Sequence, residues 1–144
     1  MVIREYQKKD EEDLVEVWFV TSKVAHNFIA EEVWLAHKDD LRKQYLPMAE
    51  TWIAEENGEL IGFVSLIENY IGGLFVQPVW QGKSVGRSLI DKAKAQRESL
   101  TVGVYKKNQQ AKRFYARNGF EFVNEEVQEE TGEIVEVLEW KGTK

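Results

Sequence analysis

Apolar positions in the first third of the chain change from a period of two to a helical period. Alternation over Val2 to Tyr6 predicts a short first strand. Asp10 opens a run of acidic residues typical of a helix start, and a second helix is expected from about Ala30 to Tyr45. The predicted stripes comprise Leu14, Val17, Trp18 and Thr21 in the first helix, and Trp34, His37, Leu41 and Tyr45 in the second. We expect the first helix to fade over residues 22–29, His37 to be a packing residue, and Pro47 to end the second helix.

The middle of the chain alternates again. Residues 51–56 and 59–68 are predicted strands, and the Asn57-Gly58 dipeptide between them favours a two-residue hairpin turn. Residues 70–76 form a third apolar run after a very short turn. We therefore expect three strands that pair antiparallel in sequence order.

The last third combines both periods. Helical spacing predicts helices over 84–98 and 108–118, separated by a strand over 99–105. Residues 120–128 and 133–140 form a closing hairpin around Thr131-Gly132. The resulting order, β-α-α-β-β-β-α-β-α-β-β, predicts one mixed α/β domain over residues 1–144, with helices on the faces of its sheet.

The composition limits the kinds of site and partner that the chain can have. The chain has 144 residues, 43% of them hydrophobic, carries a net charge of −6 and contains no Cys. The missing Cys excludes disulfides, thiolate metal sites and a Cys nucleophile, and the acidic balance argues against nucleic-acid binding while fitting a cationic substrate. No apolar run reaches the ~20 residues of a membrane span, and the first residues are charged, so we expect a cytoplasmic protein with no membrane partner.

A loop enters the fourth predicted helix with small residues and basic neighbours. Residues 81–87, Gln-Gly-Lys-Ser-Val-Gly-Arg, place free backbone N–H groups and the positive end of a helix dipole together, which is the physical basis of an anion site. Gln77 stands where a nucleotide-triphosphate loop requires Gly, and the spacing of Gly82 and Gly86 does not match a dinucleotide fingerprint. The alternative is that Ser84 only caps the helix and the glycines serve the turn.

These residues resemble the GNAT superfamily of acetyl-CoA-dependent N-acetyltransferases, whose loop has the pattern Gln/Arg-x-x-Gly-x-Gly/Ala. Residues 81–86 fit the pattern except that Ser84 replaces the usual Gly. Asn108, the Phe114-Tyr115 pair and Gly119-Phe120 follow the next strand in the order that the superfamily uses. The segments 25–29 and 45–47 resemble small bacterial members, several of them regarded as peptidyl-lysine N-acetyltransferases.

The resemblance implies a twisted, mixed and mostly antiparallel sheet flanked by helices on both faces, with acetyl-CoA as cosubstrate and no metal. It implies that loop amides hold the diphosphate, that residues 74–76 pair with the pantetheine arm, and that the N–H of Phe75 or Val76 polarises the thioester carbonyl. The implied coenzyme-binding residues are Leu74, Phe75, Val76, Gln81, Gly82, Lys83, Ser84, Val85, Gly86, Arg87, Asn108, Lys112 and Tyr115. For Lys83, Arg87 and Lys112 the alternative is a solvated surface charge, and for Asn108 it is a helix cap.

Acetyl transfer to an amine needs a proton donor for the departing thiolate and a group that removes the amine proton. Tyr115 is the expected general acid, because a phenol with a pKa of ~10 stays protonated at neutral pH. We expect Phe114 to fill the core with Ala111, and Tyr115 to face the cleft. The base is left open between His26 and Glu68 acting through water. His26, Phe28, Trp34 and Tyr70 are the candidate walls of the acceptor pocket.

The sequence therefore predicts direct transfer of an acetyl group from acetyl-CoA to a primary amine in a ternary complex, since no Cys can carry the acetyl group. The acceptor is a protein lysine, an N-terminus, or a small molecule such as a polyamine, an amino acid or an antibiotic. The protein is expected to be a monomer or a homodimer. The alternative is a catalytically silent coenzyme A-binding or protein-interaction domain with the same scaffold.

Overall fold

The computed structural model describes residues 1–142, which form one seven-stranded sheet in the order β1-β2-β3-β4-β5-β7-β6. All neighbouring strands pair antiparallel except β4 and β5, which are parallel. The strands are β1 (Val2–Glu5), β2 (Glu50–Glu56), β3 (Glu59–Ile67), β4 (Tyr70–Val76), β5 (Ser99–Tyr105), β6 (Glu121–Val127) and β7 (Ile134–Lys141). The seven strands occur at the predicted places along the chain, and the mixed α/β class is confirmed.

Five α-helical segments connect the strands. They are α1 (Glu11–Ala25), α2 (Glu31–Ala36), α3 (Lys38–Asp40), α4 (Val85–Gln96) and α5 (Gln109–Arg117). The predicted hairpin between β2 and β3 is confirmed, because Asn57 and Gly58 both have positive φ, 51° and 81°, as the tight two-residue turn requires. Within residues 1–142, no helix combines the length and the apolar character needed to cross a membrane.

Two predictions for the helices that follow β1 were wrong. α1 continues to Ala25 instead of fading from Ser22, and the second helix is broken at His37. α3 then passes into a π-helical turn over Leu41–Tyr45. His37 is half-exposed rather than packed in the core, because its Nδ1 lies 3.2 Å from Asp40 and its Nε2 lies 2.7 Å from Glu130.

Helices cover both faces of the sheet, and the strand period separates two apolar clusters. Ile53 and Phe63 pack with Leu14 of α1, whereas their neighbours Ala54 and Val64 pack with residues of α4 such as Leu89. Successive side chains of a strand point to opposite faces, so α1 and α4 lie on opposite sides of β2 and β3.

The sheet opens in its middle. β4 and β5 pair only at Tyr70 with Thr101 and at Ile71 with Val102, and beyond these pairs the two strands diverge. A register shift against β3 leaves Gly72 without a partner at this point, which is the geometry of a β-bulge. A Cβ at Gly72 would lie 0.9 Å from Tyr45 Oη, so only glycine fits there. The divergence creates a cleft at the carboxyl ends of β4 and β5.

Candidate active site

A cavity of about 1220 Å³ occupies the cleft between β4 and β5. At one end it is lined by α4, α5 and the loop before α4, and at the other by α1 and by Trp34 of α2. The lining residues within 81–87 are Gln81, Gly82, Ser84, Gly86 and Arg87. Of the predicted site residues, those that line this cavity are His26, Trp34, Tyr70, Leu74, Phe75, Val76, Gln81, Gly82, Ser84, Gly86, Arg87, Asn108 and Tyr115. Predicted residues from His26 to Tyr115 thus meet in one space.

The loop before α4 is shaped by two left-handed residues. Gly82 has φ 78° and Ser84 has φ 68°. The Ser84 side chain makes no capping bond, so the reading of Ser84 as a conventional cap was wrong, and its carbonyl oxygen instead accepts from the N–H and Oγ of Ser88. The N–H groups of residues 85–87 therefore precede the first intrahelical bond, as at any helix start. Val85 itself turns into the core.

The charges near the loop differ from those expected. Arg87 lines the cavity beside Asp91, at 4.0 Å, but Lys83 is exposed outside the lining. Lys112 also lies elsewhere, because it pairs with Glu136 of β7 at 3.2 Å. Lys94 and Arg117, from the last turns of α4 and α5, also line the cavity, and Lys94 Nζ donates to Asn118 O. The sequence signal for Lys94 was its place seven residues after Arg87, on the same face of α4.

The backbone of β4 presents free polar groups to the cleft. Gln77 N–H donates to Ile61 O of β3 at 2.8 Å, and an antiparallel ladder alternates the side to which successive residues point. The backbone N–H and C=O groups of Phe75 and Gly73 therefore point toward β3, whereas the N–H groups of Leu74 and Val76 point toward the cleft. Gln81 Nε2 donates to Val76 O at 3.0 Å, which ties the loop to this strand.

Tyr115 lies deep in the cavity wall. Its side chain is 6% exposed, and its ring packs edge-on against Phe114 and Phe120, each at 5.1 Å between ring centroids. Burial raises the pKa of the Tyr115 phenol well above its ordinary value, and the nearby Tyr70 raises it further. Tyr115 lines the cavity as expected, but it also belongs to the buried core cluster, whereas Phe114 and Ala111 are only partly buried against that cluster.

His26 and Asn108 form one hydrogen-bonded unit. Asn108 Oδ1 accepts the N–H of Ala111 at 3.1 Å, so its other branch is the NH₂ group, which lies 3.1 Å from His26 Nε2. His26 Nε2 must then accept, and the ring proton sits on Nδ1. Burial lowers the pKa of His26 to about 4, so this imidazole is neutral at pH 7. Its ring packs against Phe28, Trp34 and Tyr105.

The remaining predicted residues divide. Trp34 lines the cavity, whereas Phe28 lies behind His26 and outside the lining. Tyr70 also lines the cavity, and burial raises the pKa of its phenol. Its hydroxyl lies close to Gly103, since a Cβ added at Gly103 would be 3.0 Å from it. Glu68 is not brought to the cavity. It is exposed in the turn between β3 and β4, where its backbone oxygen accepts from Arg97 Nε.

No group of three or more His, Cys, Asp or Glu side chains within residues 1–142 is arranged to hold a metal ion. The polar groups that line the cavity are backbone amides, hydroxyls, side-chain amides, three indoles and one imidazole, and its charged side chains belong to α4 and α5.

Comparison with known proteins agrees with this architecture. The chain is 32% identical over 140 residues to the peptidyl-lysine N-acetyltransferase YiaC of Escherichia coli, covering 96% of each chain. The solution structure of apo YjaB from Escherichia coli superposes with a TM-score of 0.85 at 29% identity, covering 99% of this chain and 100% of that one. The PaiA N-acetyltransferase of Thermoplasma acidophilum, solved with coenzyme A, shares the fold with a TM-score of 0.82 at 22% identity, covering 97% and 98%. Residues 7–136 match the model of the acetyltransferase (GNAT) domain, and the chain belongs to the GNAT acetyltransferases.

Proposed function

We propose that this protein transfers the acetyl group of acetyl-CoA directly to the side-chain amine of a lysine in a protein acceptor. The observation that carries the proposal is the single cavity that joins the loop before α4, the free edge of β4 and Tyr115. A cosubstrate that spans the cleft reaches all three at once. The relatives YiaC and YjaB, named peptidyl-lysine N-acetyltransferases, support the choice of acceptor.

The loop and its neighbours hold the coenzyme. The N–H groups of residues 85–87 and the positive end of the α4 dipole bind the diphosphate, and Arg87, which lines the cavity in the first turn of α4, supplies positive charge beside it. The pantetheine arm adds to β4 like a strand, bonding to the polar groups of Leu74 and Val76. Because Phe75 faces β3, the N–H that polarises the thioester carbonyl belongs to Val76 or Leu74.

Tyr115 donates the proton that the leaving thiolate needs. Burial raises its pKa, so the phenol is fully protonated at pH 7, whereas a free thiol has a pKa of ~8.5. When the tetrahedral intermediate collapses, the C–S bond breaks and the phenol proton passes to, or hydrogen-bonds, the sulfur. Packing against the rings of Phe114 and Phe120 keeps the Tyr115 side chain away from bulk water.

The amine reacts in its neutral form. No carboxylate lines the α1–α2 end of the cavity in residues 1–142, and burial without a counter-charge lowers the pKa of an ammonium group. The attacking amine then loses its second proton to solvent. His26 Nε2 is already engaged by Asn108, so His26 acts by positioning Asn108 rather than as the base.

The test follows thiol release from acetyl-CoA with lysine peptides as acceptors, and acetyl-CoA binding by calorimetry. Tyr115→Phe is expected to bind acetyl-CoA like the wild type and to lower kcat by ~10²-fold, which is typical for the loss of one proton donor. Tyr6→Phe is the matched control, since Tyr6 packs against the α1 cluster outside the cavity.

Two outcomes would contradict the proposal. Binding of acetyl-CoA with no thiol release for any amine would favour a silent coenzyme-binding domain. Equal rates for Tyr115→Phe and the wild type would remove Tyr115 from the chemistry while leaving the acyltransferase class intact.

A further inference from the structure

Four polar atoms at the α1–α2 end of the cavity have no hydrogen-bond partner in the described part of the chain. They are Thr21 Oγ1, Ser22 Oγ, His26 Nδ1 and Trp34 Nε1. All four residues line the cavity, and the side chains of Thr21, Ser22 and Trp34 are 4%, 0% and 8% exposed. Ser22 and His26 are one helical turn apart, and the rings of His26 and Trp34 are 5.5 Å apart, so the atoms belong to one wall.

These atoms are predominantly donors. An indole N–H can only donate, and His26 Nδ1 carries the ring proton because Nε2 accepts from Asn108. The two hydroxyls can each donate as well. A buried donor without a partner is costly, so natural proteins rarely keep several together unless something pairs with them.

Charge at this end is absent from the lining. Among the residues described, the carboxylate that lines the cavity is Asp91, which lies at the opposite end beside Arg87. A ligand group suited to this wall therefore offers oxygen lone pairs without a full negative charge, since an unpaired carboxylate would lack a cation. A neutral amide carbonyl meets both conditions.

We propose that Thr21, Ser22, His26 and Trp34 form a subsite for an amide carbonyl of the acceptor, which selects peptide-bound lysine over polyamines and simple alkylamines. The inference rests on the proposed function. Four methylene groups separate the amine of a lysine from its Cα. The carbonyl next to that Cα can therefore bond to this wall while the amine of the same residue reacts near Tyr115. Trp18 packs edge-on against Trp34 at 5.9 Å between ring centroids, so an aromatic ring borders this wall.

The experiment compares two acceptors that share the amine and differ in the carbonyls. They are lysine blocked as its N-acetyl N-methylamide, and n-butylamine. The readout is the ratio of their kcat/KM values. In Thr21→Val the ratio is expected to fall roughly fivefold relative to the wild type, through a higher KM for the blocked lysine, since one hydrogen bond is lost. Trp34→Phe, which removes an obligate donor, is expected to lower the ratio at least as much.

A matched control is Thr101→Val on β5, which lies outside the cavity lining and is expected to keep the wild-type ratio. Thr21→Val is also expected to melt no lower than the wild type, because its hydroxyl has no partner to lose. A lower Tm would show that the hydroxyl is already paired, and would overturn the inference.

The inference and the proposed function fail differently. If both amines are acetylated and the ratio is the same in wild type, Thr21→Val and Trp34→Phe, the carbonyl subsite is wrong while the N-acetyltransferase assignment stands. If neither amine is acetylated and acetyl-CoA does not bind, the proposed function is wrong, and so is the carbonyl subsite that depends on it.

Discussion

The two ends of the cavity are built from different materials. At the loop end, backbone N–H groups of residues 85–87 and the side chain of Arg87 border open space. At the α1–α2 end, His26, Trp34 and Tyr105 pack ring against ring, and polar atoms are buried without partners. The loop end suits a ligand part that is the same in every turnover. Under the proposed function, the α1–α2 end selects among acceptors.

The same substitution in the loop and at the bulge where the cleft begins gives the largest contrast. A Cβ at Gly72 would meet Tyr45 Oη at 0.9 Å, whereas a Cβ at Gly82 meets nothing within 4 Å and encounters only the strain of φ 78°. Gly72→Ala is expected to lower the free energy of unfolding by ~3 kcal/mol, the upper range for overpacking. Gly82→Ala is expected to cost ~1 kcal/mol from its left-handed backbone. Urea unfolding measures both.

The double variant Gly72→Ala with Tyr45→Phe checks the cause. Removing the Tyr45 hydroxyl takes away the atom that the new methyl group meets, so part of the stability is expected to return. Additive losses in the double variant would show that the clash lies with the strand backbone instead. The contrast between Gly72 and Gly82 would then have another explanation.

His26 gives the second prediction, a dependence of stability on pH that belongs to the α1–α2 end. Burial lowers its folded pKa to about 4, so the unfolded chain, with a His pKa of ~6.5, binds the proton first as pH falls. Stability is therefore lost as pH falls from about 6.5 toward 4. Between pH 7 and pH 5 the loss is ~2 kcal/mol for this one residue. In His26→Gln this part of the pH dependence is expected to vanish, and equal slopes in the two proteins would contradict the burial of His26.

Ser84 gives the third prediction, at the loop end. A non-glycine residue at φ 68° is strained by about 1 kcal/mol, and the Ser84 side chain makes no bond that offsets it. Ser84→Gly is expected to raise the free energy of unfolding by ~1 kcal/mol and to leave acetyl-CoA affinity within about threefold of the wild type. A large loss of affinity in calorimetry would show that the Ser84 hydroxyl contacts the coenzyme, so the loop end would not rest on backbone groups alone.

The two ends also differ in how far the sequence could predict them. Residues 81–87 are contiguous, and the coenzyme contacts proposed for them come from their backbone, so a short motif was enough to predict the loop end. The unit of His26, Trp34, Tyr105 and Asn108 joins α1, α2, β5 and the start of α5, and no spacing along the chain encodes that meeting. The strand order was predictable because period two and the Asn57-Gly58 turn are local signals.

Errors arose where a local pattern allowed two partners. Helical spacing separates Phe114 from Tyr115 by about 100°, but it does not say which of them faces the sheet, and the structure buries Tyr115. Lys112 was a candidate phosphate neighbour, yet its ammonium group pairs with Glu136 on the distant strand β7. Glu68 lies one turn before β4 in sequence but outside the cavity, because the short turn directs it to solvent.

His37 gives the smallest effect, opposite in sign to that of His26. Hydrogen bonds to Glu130 and Asp40 raise its folded pKa, so its stabilising charge is fully present below a pH of ~6.5 and is lost as pH rises through that raised pKa. The side chain is 36% exposed, so the contribution is under ~1 kcal/mol after solvent screening. His37→Gln is expected to melt lower than the wild type at pH 5.5 and equally at pH 9, with the difference shrinking in high salt. Because His37 links α2 and α3 to the turn between β6 and β7, a deficit that persisted at pH 9 would mean that its ring packs rather than pairs, and the two histidines would no longer oppose each other.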